Sequence, residues 1–268
     1  MTHGFSSDLC IVRGGGDLAS GVVWRLVASG FRVVVLELPH PLTVRRTVSF
    51  STAVLDGRVE VEGLAAVLHN DFASGASAEN ESAVSVVVMP ELPGDHGAFA
   101  VVDARMAKRN IDTNMGDAPC VVALGPGFEA GVDCHAVVET NRGHHLGRVL
   151  WTGSAEPDTG TPGVVEGRGA ERVVRAPADG AAEWNVAIGE RVAAGQCMGY
   201  VAGQQMSAPF EGVVRGLIAA GTQVWTGLKV ADIDPRLDTD CYEISDKALA
   251  IGGGVVEALS VSLRRHRA

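Results

Sequence analysis

Three consecutive glycines, Gly14, Gly15 and Gly16, stand between the apolar run Leu9-Cys10-Ile11-Val12 and a helical pattern of Leu18, Val22, Val23, Leu26 and Val27. Glycines at such a junction bring bare backbone close to a ligand. The free N–H groups of the helix start, helped by its dipole, then suit an anion. Gly14 supplies the tight turn, Gly16 the close approach to a pyrophosphate, and Ala19 the close helix–strand packing, with Asp17 opening the helix. Glu37 closes the next apolar run, where a dinucleotide motif places an acid on ribose hydroxyls about 20 residues after the glycines. A tight turn over an empty crevice is the competing reading.

Other side chains offer related chemistry. Arg45 and Arg46 follow the second strand, where forked guanidinium groups hold phosphate, or where a basic turn is simply solvated. Asp103, Arg105, Lys108, Arg109 and Asn110 follow the strand Ala98–Val102 and form the densest positive cluster of an acidic chain. They suit a phosphate or carboxylate, with a solvated amphipathic turn as the alternative. Gly125 and Gly127 make a second glycine turn after the strand Pro119–Leu124. Alternation through Val132–Asn141 puts Asp133, His135, Glu139 and Asn141 on one face. With His144 and His145 they match no standard metal spacing, so no metal is expected and a hydrogen-bonded polar face is preferred.

These groups need elements to hold them. The expected fold class is α/β, with a Rossmann-like domain over residues 1–152, a Gly/Pro-rich linker at 153–169, and a repeat domain at 170–236. The segment 237–268 adds a final helix returning to the first domain. Gly63–Leu68 is expected to open a helix and Ser74–Ser85 to form a surface loop or irregular helix end. In the repeat, Ala176-Pro177, Gly180, Gly189, Val192 and Gly195 recur at one constant offset as Ala208-Pro209, Gly212, Gly221, Val224 and Gly227. The pattern resembles a biotinyl/lipoyl barrel-sandwich hybrid. Its connecting stretch, Ala202–Ser207, lacks lysine, so no covalent biotin or lipoate is expected. Gly252-Gly253-Gly254 falls inside the last helix, signalling close backbone contact or a break near a ligand.

The 268 residues carry a net charge of −10, which argues against nucleic-acid and anionic-membrane partners. Five cysteines, Cys10, Cys120, Cys134, Cys197 and Cys241, are too scattered for a zinc or redox motif. Met1–Asp8 lacks signal-peptide features and no apolar stretch reaches the roughly 20 residues of a membrane span. A cytoplasmic location is expected.

Several stretches together resemble a known family: Val12–Ala19, Arg45–Phe50, Val102–Asn110, Leu124–Phe128, Glu139–His144, Asp232–Arg236 and Ile244–Lys247. They are similar to the YqeB-type accessory proteins of selenium-dependent molybdenum hydroxylase systems, over essentially the whole chain. The first domain also resembles the nucleotide-binding half of the xanthine dehydrogenase accessory proteins. The resemblance implies a maturation factor, helping the hydroxylase cofactor acquire selenium, with a molybdenum hydroxylase or its maturation machinery as partner. The glycine loop and its Arg and Lys neighbours suit a phosphorylated small molecule, either a nucleotide or a molybdopterin-type cofactor. An NAD(P)-dependent oxidoreductase is one alternative, although neither Tyr200 nor Tyr242 sits in a Tyr-x-x-x-Lys motif. A selenium or sulfur carrier acting through a cysteine is another, although Cys120 and Cys134 lack nearby signals of an activated thiol.

Overall fold

The computed structural model describes residues 6–78, 83–158, 160 and 163–267. The expected loop Ser74–Ser85, the linker at 153–169 and the segment Met1–Asp8 each lie partly outside the described residues. The chain divides into two compact units that are discontinuous in sequence. The first holds Met1–Pro41, Phe50–Asp158 and Ile244–Ala268, and the second holds Leu42–Ser49 and Thr159–Glu243.

In the first unit, runs of Val, Ala and Ile form strands because β-branched side chains fit a pleated surface, and the central strands are buried. These are β1 (Ser6–Arg13), β2 (Arg32–Glu37), β3 (Arg58–Val61), β4 (Leu64–His69), β5 (Ala83–Val88), β6 (Ala98–Asp103) and β7 (Cys120–Leu124). The short strands β8 (Glu129–Ala130), β9 (Ala136–Val138), β10 (Val149–Leu150) and β11 (Gly153–Ser154) follow. A nine-stranded sheet runs β10-β9-β7-β6-β1-β2-β5-β4-β3. It is parallel from β9 to β4 and antiparallel at its two ends. β8 and β11 pair separately.

Four α-helices are present among the described residues: α1 (Asp17–Ala28), α2 (Ala53–Asp56), α3 (Phe72–Ala76) and α4 (Asp246–Arg267). α4 passes through its glycines without a break. A Cβ on Gly21 of α1 would lie 2.3 Å from the backbone of Ala248, and one on Gly252 would lie 2.3 Å from the Gly21 carbonyl. Gly254 meets the Gly147 carbonyl as closely, while Gly253 faces open space. Backbone contact is therefore the structural use of Gly252 and Gly254. It lets the apolar stripes of both helices, including Val22, Leu26, Ile251 and Leu259, bury completely.

This architecture corrects the expected fold class. The first unit is a mixed sheet with a large parallel part and few helices, rather than a Rossmann-like alternation of strand and helix. Between β6 and β7 there is only a 3-10 turn, Met115–Asp117, and between β7 and β9 only β8 and its turns. The physical reason lies in residues 104–119, whose charged and polar side chains bond to one another and offer no apolar stripe to bury. Gly63–Leu68 also departs from expectation, forming a β-hairpin strand instead of a helix. Glu62 and Gly63, at φ of 46° and 78°, make the tight turn that β3 and β4 need.

The second unit contains β12 (Val173–Arg175), β13 (Gly180–Trp184), β14 (Arg191–Val192), β15 (Cys197–Val201), β16 (Gln204–Ser207), β17 (Gly212–Leu217), β18 (Gln223–Val224) and β19 (Lys229–Asp234). They build two four-stranded antiparallel sheets, β12-β19-β17-β14 and β16-β15-β13-β18. Both repeat copies contribute to one core containing Val174, Ala182, Met198, Val214, Leu217, Val224 and Ile233. Among the described residues no ladder joins one sheet to the other, so the expected barrel-sandwich hybrid is replaced by two open sheets. Among the described residues, no helix is long and apolar enough to cross a membrane.

Candidate functional site

Parallel strands deliver their carboxyl ends, and the loops that follow, to one edge of the sheet. In the first unit the glycine turn leaves β1 at that edge. Gly14, at φ +92°, donates its N–H to the Leu36 carbonyl at 2.8 Å, and a Cβ there would press on the Ala104 and Arg105 backbone at 3.1 Å. Gly15 donates to Glu37 Oε2 at 2.7 Å, and its own carbonyl accepts from the Ser51 N–H at 2.9 Å. Gly16 caps α1 in an extended conformation without a side-chain cap hydrogen bond, and a Cβ on it would meet open space. The first two glycines are thus consumed by packing, and the third opens outward.

Glu37 is buried and accepts from Gly15 N–H and Leu38 N–H, both at 2.7 Å. Burial raises its carboxyl pKa above the ordinary value, and those two N–H groups pull it partly back. Glu139, at the end of β9, accepts in the same way from the N–H groups of Thr140, Asn141 and Glu156 at 2.7 Å each. Buried carboxylates satisfied by backbone donors brace both loops.

The neighbouring loops interlock. A Cβ on Gly127 would come within 2.4 Å of Arg109 N, and one on Gly125 within 2.5 Å of Thr140 Oγ1. Met106 and Lys108 adopt positive φ of 56° and 62°, which non-glycine residues rarely do. Asp103, wholly buried, accepts from Arg105 Nη2 at 2.6 Å and Thr113 Oγ1 at 2.6 Å. Arg105 reaches on to Asp112 at 2.7 Å. Burial opposes the Arg105 charge, yet its bonds to Asp103 and Asp112 outweigh that and raise its pKa. Asn110 Nδ2 donates to the Thr113 carbonyl and to Asp133 Oδ1, both at 2.9 Å, and Lys108 pairs with Asp158 at 2.6 Å. Arg109 is exposed.

Gly14, Gly15, Gly16, Asp17, Glu37, Asp103, Arg105, Lys108, Arg109, Asn110, Gly125 and Gly127 therefore share the first unit and the carboxyl edge of its sheet. Arg45 and Arg46 belong to the second unit. There Arg46 Nε donates to the Leu217 carbonyl at 2.8 Å, and buried Arg45 reaches the Glu243 carbonyl at 3.4 Å. The expected alternating strand shrinks to β9. Asp133 serves the Asn110 loop and the Glu129 N–H, while His145 pairs with Glu156 at 3.0 Å. Among the described residues, no three His, Cys, Asp or Glu side chains are grouped to hold a metal ion.

Two residues at this edge escaped the sequence reading. Arg13, the last residue of β1, stands beside Asp103 in the ladder and holds Asp112 through both terminal nitrogens at 2.8 Å. Lys247, in the first turn of α4, is half-buried. Burial lowers its pKa, Arg142 lowers it further, and Asp17, Glu139 and Asp246 work against both. An arginine ending an apolar run, just before glycines, is the one signal that pointed to Arg13.

Fold and site together define a two-unit protein, with a glycine turn and a charged loop layer at the carboxyl edge of a mixed sheet. No family model matches the chain. It is similar to a protein of Escherichia coli (strain K12) described as "Uncharacterized protein YqeB", with 44% identity over 267 residues. That match covers 98% of this chain and 49% of the relative, so the chain spans about half the length of the curated relative it matches. The likeness supports a YqeB-type protein. Among solved structures, a succinylglutamate desuccinylase/aspartoacylase from Rhodobacter sphaeroides matches 27% of this chain and 25% of its own, at 27% identity and a TM-score of 0.24. An aspartoacylase family protein from Mesorhizobium loti matches 85% of this chain and 57% of its own, at 9% identity and a TM-score of 0.23. Overlaps this low carry no argument about fold or chemistry.

Proposed function

We propose that this protein is a maturation factor for a selenium-dependent molybdenum hydroxylase. On this reading it binds a nucleotide or pterin-type phosphorylated cofactor at the carboxyl edge of its first unit. The observation that carries the reading is Gly16. It starts a 12-residue helix, lacks a side-chain cap hydrogen bond and has open space where a Cβ would stand. A helix start of this kind suits a phosphate, and open sheets bind ligands at this edge. Lys247, within electrostatic reach of Asp17, supplies a nearby cation. The resemblance to YqeB-type accessory proteins supplies the biological setting.

The two alternatives are less well supported. Both oxygens of Glu37 accept backbone N–H groups, which weighs against the ribose contact of an NAD(P) site. Burial pushes the Cys120 and Cys134 thiols up to about 11 and about 12 and raises Cys10 and Cys241 too, which disfavours the thiolate a carrier needs. Gly16→Val tests the reading cleanly, because its backbone is extended and a Cβ there meets nothing within 4 Å. Thermal shift with molybdopterin dinucleotides, CTP, GTP and NAD(P) is the measurement. Stabilisation by a pterin dinucleotide or nucleotide that disappears in Gly16→Val supports the reading. Stabilisation by NAD(P) alone, or binding untouched by the substitution, overturns it.

A further inference from the structure

The opposite, amino-terminal edge of the parallel strands carries a cleft lined by His135, Trp151, Ser262, Arg265 and His266, together with Met115, Pro119 and Gly131. Its volume is about 240 Å³. Drug-sized ligands occupy roughly 300–1,000 Å³, so its occupant is small. Pro119 and His135 immediately precede β7 and β9, while Ser262, Arg265 and His266 come from the last turns of α4. No carboxylate lines the cleft.

The polar groups are held in place. His135 Nδ1 accepts the Val121 N–H at 2.9 Å, which leaves Nε2 as the protonated nitrogen of a neutral ring. The Arg265 guanidinium sits 4.8 Å over the Trp151 ring, and His266 meets Phe99 edge-on at 5.8 Å between centroids. Nearby carboxylates are turned to other partners. Asp133 serves Asn110 and the Glu129 N–H, and Asp117 accepts the Asn114 N–H. The carbonyls ending α4 carry only about half an elementary charge, less than Arg265 alone. Burial and the His266 charge both lower the His135 pKa, as expected of cationic groups gathered without an anion.

We propose that this cleft is a binding site for a small oxyanion, a phosphate or a carboxylate. His135 Nε2–H and the Arg265 guanidinium act as donors, with Ser262 and His266 lining the cleft beside them. The site is separate from the glycine turn and does not depend on the function proposed for it.

Calorimetric titration of the full chain with inorganic phosphate and, separately, with acetate tests this in a buffer free of other oxyanions. Saturable binding of either one, at a Kd of roughly 1 mM or tighter, is expected, and the arm that responds identifies the oxyanion. Arg265→Met and His266→Asn, both at exposed positions, should each weaken it about tenfold without moving the melting midpoint. Gly16→Val, at the other edge, should leave it unchanged. Absence of saturable binding in both arms overturns the proposal. So does binding that survives both α4 variants or disappears in Gly16→Val.

Discussion

Arg13 and Asp112, separated by 99 positions in sequence, form a two-pronged ion pair with both N–O distances at 2.8 Å. Arg13 is 2% exposed while Asp112 is 43% exposed, so a loop carboxylate reaches in to neutralise a cation that the sheet has buried. The pair ties the end of β1 to the loop that carries Arg105 and Asn110.

Removing Asp112 should therefore cost far more than an ordinary surface substitution. Asp112→Ala leaves Arg13 buried without its counter-charge, an effect of about 3 kcal/mol, measurable as a lower urea midpoint. The pair also has an acid signature. Hydrogen bonds from Arg13 and Arg105 outweigh burial and hold the Asp112 carboxyl at about 2, below its ordinary 3.8. A lowered pKa means that the unfolded chain takes up the proton first. The stabilisation is fully present above the ordinary value and lost as pH falls towards about 2. Asp112→Asn should flatten that part of the stability–pH curve.

Glu37→Gln probes the brace behind the glycine turn. An amide presents one acceptor oxygen where the carboxylate offers two, so Gly15 N–H or Leu38 N–H loses its partner at a cost of about 1–3 kcal/mol near neutral pH. The pH dependence runs opposite to that of Asp112. Because the folded Glu37 pKa is raised, the folded state holds the proton longer, and the group's contribution declines as pH climbs above its ordinary 4.5. Thermal melts across that range should show the wild-type slope reduced in the variant.

The crossing of α1 and α4 predicts opposite outcomes for two glycines. Gly21→Val places side-chain atoms into the Ala248 backbone and should cost at least about 1–3 kcal/mol by overpacking. Gly253→Ala adds a methyl in open space within a helix and should stabilise by about 0.5–1 kcal/mol. Chemical unfolding of both variants checks the pair together.

Lys247→Met tests whether the α4 lysine serves the glycine-turn ligand. Losing one cation from a phosphate site should weaken that ligand about tenfold. Stability should change little, because burial already opposes the ammonium charge. Equal affinity for the pterin dinucleotide or nucleotide in wild type and variant would remove Lys247 from the site.

The residues by themselves located much of the local order. Apolar β-branched runs mark β1, β2, β6 and β7, because such side chains pack well on a pleated, buried surface. Gly14, Gly15, Gly125 and Gly127 mark turns that favour glycine, where positive φ or tight backbone contact is required. Gly252 announced close backbone approach, since three adjacent glycines inside a helix are costly without one.

Tertiary structure decided the rest. Whether a polar stretch such as 104–119 becomes a helix or a loop depends on partners distant in sequence, and here Asp103, Asp112, Thr113 and Asp133 capture its donors in a loop. Periodicity could not tell the strand Leu64–His69 from a short helix, and the turn at Glu62–Gly63 with its neighbour β3 settled it. Arg13 looked like the end of an apolar run until the fold brought Asp112 to it, and Lys247 comes within electrostatic reach of Asp17 only where α4 packs on α1. Local propensity is a property of neighbours in the chain. Ion pairs, loop interlocking and the assignment of Arg45 and Arg46 to the second unit are properties of neighbours in space.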